Sequence, residues 1–120
     1  MNFEQIKSTI DLIGDPVEKL EFVMELGKSL SSVPENAECT EIVGCSSFVQ
    51  ICRLDDKFFG VADSAIVRGI VAIMLSIVDG KSPAQIKNIP IDKMFSDLNL
   101  NLGAARLNGV NSMIRFFKNL

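Results

Sequence analysis

A chain of 120 residues with 48% apolar and 22% charged side chains has the size and composition of one compact domain, able to bury a core without staples. Its net charge of −3, from 12 basic and 15 acidic residues with no basic cluster, argues against a phosphate-backbone footprint and so against nucleic acid as a partner. It contains no histidine, which removes the commonest general base and metal ligand and, with it, Ser-His-Asp, Cys-His and most catalytic zinc arrangements.

The first residues, Met1 to Lys7, carry neither a basic segment nor a long apolar run, so the protein is expected to stay where it is made, in the cytoplasm. Phe3, Ile6, Ile10 and Ile13 recur at helical spacing and predict a short amphipathic helix ending at Gly14. Asp15-Pro16 then opens a second helix, with Asp15 as cap, Pro16 at the first helical position and Glu18 completing a capping box. Val17, Leu20, Val23, Met24, Gly27 and Leu30 form its expected buried face, up to a stop at Ser31-Ser32-Val33-Pro34.

A polar connection, Pro34 to Glu38, leads to Thr40–Ile51. Here Ile42 and Val43 on one side and Phe48, Val49 and Ile51 on the other read as two strands, joined through the small residues Gly44-Cys45-Ser46-Ser47. That reading puts Cys45 at a loop tip, where a rigid scaffold can present a thiol to a partner. The second strand runs to Leu54, Asp55-Asp56-Lys57 is a hairpin turn, and Phe58 to Val61 is a third strand. Asp63 is placed to cap a helix from Ser64 to Asp79, so apolar that it belongs at the centre of the fold, covering the sheet. Its most apolar part, Ile70 to Val78, is far short of the roughly 20 residues that span a bilayer. Gly80 suits a left-handed helix stop, and Ser82-Pro83-Ala84-Gln85 repeats the capping logic for a short helix ended by Pro90. A further short helix covers Asp92 to Leu98. The last helix, Ala104 to Lys118, is expected to bury Leu107, Val110, Ile114 and Phe117 and to end in the dipole-compatible cations Arg115 and Lys118. The predicted architecture is α+β: a single domain over 1–120 with a small three-stranded antiparallel sheet covered by helices.

Three cysteines, an odd number without an export signal, argue for thiols in a reducing compartment rather than a disulfide framework. Cys52 sits inside a strand and reads as a small buried hydrophobe, and Cys39, without a basic neighbour, reads as incidental. Cys45 alone combines a turn with small flanking residues. The spacing C-x5-C-x6-C matches no compact zinc or iron–sulfur pattern, and no glycine-rich phosphate cradle or dinucleotide fingerprint is present.

Four ordered blocks carry a family resemblance. Phe22-Val23-Met24-Glu25-Leu26-Gly27-Lys28-Ser29-Leu30, Ile42-Val43-Gly44-Cys45-Ser46-Ser47-Phe48-Val49, Ala62-Asp63-Ser64-Ala65-Ile66-Val67-Arg68-Gly69-Ile70, and Ala105-Arg106-Leu107-Asn108-Gly109-Val110 with Met113-Ile114 together resemble the SufE family of sulfur-acceptor proteins. These are partners of cysteine desulfurases in iron–sulfur cluster assembly. The chain departs from the family pattern at Gln50, where tryptophan is common, and at Ala105, where serine is.

The resemblance implies a SufE/IscU-like fold, with Cys45 as the sulfur-accepting residue. It implies an accessory sulfur-transfer protein rather than a stand-alone enzyme, with no cofactor of its own, since the pyridoxal phosphate belongs to a SufS-like desulfurase; a downstream iron–sulfur scaffold would receive the sulfur. Gly44 and Ser46 beside the thiol are expected to meet the partner, as is at most one of Asp63, Arg68 and Arg106, which match charged positions of the family. Each of the last three also has a structural reading, as helix cap, solvated charge and anchor of the last helix. Val43, Phe48 and Val49 are expected to shelter a persulfide on a loop that turns inward at rest. Two other roles remain open: a docking activator that carries no sulfur, and a cluster scaffold using all three cysteines.

Overall fold

In the computed structural model, which describes all residues from Met1 to Leu120, the side chain of Asn2 accepts the Gln5 N–H and that of Gln5 accepts the Asn2 N–H, both at 2.9 Å. This reciprocal cap starts α1 (Phe3–Leu12), which buries Phe3, Ile6 and Ile10 as its periodicity predicts. Asp15 accepts the Val17 N–H at 2.9 Å and starts α2 (Pro16–Gly27). Glu18 does not return the bond of the expected capping box, and the helix ends at Gly27, short of Ser31. The buried face is also narrower than expected, being Val23, Leu26 and Gly27, with Val17 and Met24 exposed. The reason is a tight crossing with α3 (Ala65–Val78): a side chain on Gly69 would collide with the Val23 carbonyl, so the two backbones meet along one stripe.

The sheet is β1 (Glu38–Glu41), β2 (Val49–Leu54) and β3 (Lys57–Ala62), antiparallel and in that order. The first strand is therefore not Ile42-Val43 but the polar segment before it, all four residues of which are exposed. Cys39 pairs directly with Cys52 across β1 and β2, and their sulfurs are bonded. That corrects the expectation of three free thiols: Cys52 is buried, but as half of a cystine, and Cys39 is its partner rather than incidental. The β2–β3 turn is Asp55-Asp56, with Asp55 at φ 55° and Lys57 already in the strand, opposite Leu54.

Helix α3 has Ser64 at its N-cap position, so Asp63 lies one residue before the cap and is not the cap itself. It buries Ile66, Ile70, Val71, Ile73, Met74, Ile77 and Val78, sandwiched between α2 and the sheet. The Ser82–Gln85 capping box forms as predicted and opens α4 (Pro83–Lys87), followed by α5 (Ile91–Ser96). Helix α6 (Ala104–Lys118) buries Gly109, Val110, Ser112, Met113 and Phe117. Leu107 is exposed and Ile114 only half-buried, so the buried stripe is rotated from the one expected. Phe117 and Phe58 pack edge to face with ring centroids 5.5 Å apart, joining α6 to the sheet. Lys118 donates to the carbonyls of Ile86 and Lys87, both at 3.1 Å, and to that of Ile89. Its charge thus serves the negative end of α4 rather than its own helix.

Candidate functional site

The base of the cysteine loop is closed by one backbone bond, from Ile42 N–H to the Val49 carbonyl at 2.8 Å. Ile42 and Val49 are buried and anchor the two ends, while Val43 is 85% exposed and Phe48 40% exposed. Between them the chain folds back onto α6. Gly44 has φ +97°, a conformation that side chains rarely adopt, and a Cβ there would stand 2.5 Å from Ser112 Oγ. The glycine before the cysteine therefore has two independent reasons to be glycine.

This turn aims Cys45 inward. Its Sγ lies 3.9 Å from the Gly109 carbonyl oxygen, to which the thiol donates weakly. Cys45 is the one free cysteine and is half-buried. It shares a small cavity with Ser46 and Ser47 of its own loop, Val67 and Ile70 of α3, and Ala105, Arg106, Gly109 and Met113 of α6. Burial pushes the thiol above its ordinary pKa. In this position the Cys45 thiolate is harder to form than that of an exposed cysteine. The shelter comes from α3 and α6 rather than from Val43 and Phe48, which face solvent; of the three residues expected to cover the sulfur, only Val49 is buried.

Arg106 lines the cavity and donates to the Leu102 carbonyl at 3.5 Å. Arg68 donates to the Ala62 carbonyl at 3.3 Å, and Asp63, one residue beyond Ala62, is exposed. None of the three forms an ion pair, so each retains a charge free to meet another molecule. Arg68 and Asp63 do not line the cysteine cavity; Arg106 does. Sequence reasoning passed over Val67, Ile70, Gly109 and Met113 as site residues. The available signal was Gly109, a residue unfavourable in the middle of a helix and therefore in need of a reason.

Residues 4–120 match the family model described as SufE: Fe-S metabolism associated domain. An uncharacterised SufE-like protein of Rhizobium meliloti (strain 1021) is 33% identical, over 98% of this chain and 92% of its own. The sulfur acceptor protein CsdE of Escherichia coli (strain K12) is 29% identical, over 92% of this chain and 81% of its own. Among solved structures, the solution structure of a hypothetical protein from Thermus thermophilus shares the fold at TM-score 0.72, with 14% identity, over 98% of this chain and 90% of that one.

Proposed function

The chain belongs to the SufE family, and from that premise we propose that it is a sulfur acceptor of iron–sulfur metabolism, working through Cys45. The observation that carries the reading is the free thiol of Cys45, on a loop whose glycine turn aims it into an apolar recess.

The donor is the persulfide of a cysteine desulfurase. The Cys45 thiolate attacks the terminal sulfur, a new S–S bond forms, the donor's S–S bond breaks, and the donor cysteine leaves as thiolate; no net oxidant is consumed. Pyridoxal phosphate and carbon–sulfur cleavage belong to the desulfurase, and this chain supplies the acceptor thiol and a place to keep the product. Inside the recess burial disfavours the thiolate, so the loop swings outward to accept sulfur and returns to keep the persulfide from water and oxidants. A downstream iron–sulfur scaffold then receives the sulfur. Exposed Val43 and Phe48, with Gly44, Ser46, Asp63, Arg68 and Arg106, form the face toward the desulfurase. The setting is the cytoplasm, where thiol reductants would reach the Cys39–Cys52 bond at exposed Cys39.

The intact mass after mixing with a cysteine desulfurase and free cysteine tests this: one added sulfur, removed by reductant, is expected, and none on Cys45→Ser. A Cys45→Ser protein that still stimulates the desulfurase fully would replace this reading with that of a docking activator. A three-thiolate cluster scaffold would need Cys39 and Cys52 released from their bond to each other, and anaerobic reconstitution of the reduced protein that binds no iron would dispose of it.

A further inference from the structure

Gly109 lies inside α6 with no unusual backbone angle, in a place where alanine would favour the helix. What it does instead is leave room. A Cβ at this position would stand 3.3 Å from Cys45 Sγ and 3.8 Å from both Cα and Cβ of Cys45, tight enough that the sulfur must give by a few tenths of an ångström. Its carbonyl oxygen is also the acceptor of the thiol.

Ser112 stands three residues further along the same helix face. Its hydroxyl donates to the Asn108 carbonyl at 3.1 Å and accepts from Arg115 Nη2 at 3.1 Å, which fixes the oxygen against which Gly44 packs. Two consecutive loop residues, Gly44 and Cys45, thus rest on two small residues of α6. The Gly44 contact is locked by a hydrogen-bonded hydroxyl, whereas the Cys45 contact has only a weak thiol–carbonyl hydrogen bond and depends on the absence of a side chain.

We propose that Gly109 is a positioning residue for sulfur transfer: its missing side chain forms the seat that draws the Cys45 sulfur into the recess and so sets the balance between the inward and outward states of the loop. The proposal rests on the acceptor reading for its biological meaning, but the seat itself is testable without any sulfur donor. A methyl group at residue 109 moves the sulfur outward and restores part of its hydration, making the thiolate easier to form.

The test is the rate of alkylation of the single free thiol by iodoacetamide, across pH, in the unreduced full-length protein. Gly109→Ala should alkylate about three- to tenfold faster near neutral pH, the change expected for up to one unit in a thiol pKa. Its pH inflection should move down toward that of an unhindered cysteine. Gly109→Val should show a larger change in the same direction, and Asn111→Ala, an exposed change on the same helix, should show none. Thermal unfolding of each variant separates a displaced thiol from a loosened fold, and alanine, as the better helix former, keeps Gly109→Ala folded. An unchanged rate and inflection in folded Gly109→Ala would overturn the proposal. Faster alkylation in a protein that accepts no sulfur from a desulfurase would uphold the seat and defeat the acceptor reading.

Discussion

The carboxylate of Asp79, the residue just beyond α3, accepts the backbone N–H of Phe58 at 2.8 Å, 21 residues away in the chain. Phe58 faces Arg53 in the β2–β3 ladder, and the Gly80 N–H reaches the Asp56 carbonyl at 2.8 Å beside it. The end of the central helix is thereby stitched to the hairpin by two hydrogen bonds. Asp79→Ala leaves a part-buried donor without a partner and should cost about 1–3 kcal/mol. Asp79→Asn keeps an acceptor oxygen and should lose about half as much. Urea unfolding of the three proteins checks this, and equal midpoints would show the stitch to be idle. The additional Lys57–Asp79 pair, at 3.9 Å and exposed, should contribute little.

The raised pKa of Cys45 has a direction in stability as well as in reactivity. Between the thiol's unfolded and folded pKa values the folded chain holds more protons than the unfolded chain, so stability falls as pH rises through that window. The contribution is fully present below the unfolded value and is lost once pH passes the folded one. In Cys45→Ser the decline of the urea midpoint from pH 8 upward should therefore be shallower than in the parent. An identical slope in both proteins would mean that the recess does not burden the thiolate.

The Cys39–Cys52 bond predicts a thiol count. One thiol should react in the unreduced folded or urea-unfolded protein and three after reduction, with intact mass rising by two hydrogens. The bond closes a sequence separation of 13 residues, for which loop-closure arithmetic gives about 3 kcal/mol of stabilisation. A reduced protein that melts at the same temperature as the oxidised one would leave that figure without support.

Much of the architecture was legible because local chemistry and tertiary need agree. Ser82-Pro83-Gln85 caps a helix wherever it is placed, and the run from Ile66 to Val78 is too apolar to lie anywhere but the centre. The first strand was not legible. Its four residues are all exposed, so no alternating apolar pattern marks it, while the apolar pair Ile42-Val43 drew the assignment although one is a buried anchor and the other points into solvent. The Cys39–Cys52 pair followed from that miss, since only the β1–β2 register brings the two together. At the site, Cys45 and its glycine could be read from the sequence. The recess could not, because its walls come from α3 and α6, more than 20 residues away in the chain, and the face that α6 presents is turned by the small residues Gly109 and Ser112 rather than by Leu107 and Ile114.

The polar character of β1 matters beyond the difficulty of recognising it. As a terminal strand of the sheet it offers unpaired backbone groups along its outer side, a template onto which another extended chain can add. Glu38 and Glu41, at its two ends and both exposed, put a negative charge wherever a second copy would try to align its own edge, and like charges would then face each other. Replacing that pair with the apolar residues a sheet usually prefers would give a tidier strand and a stickier protein.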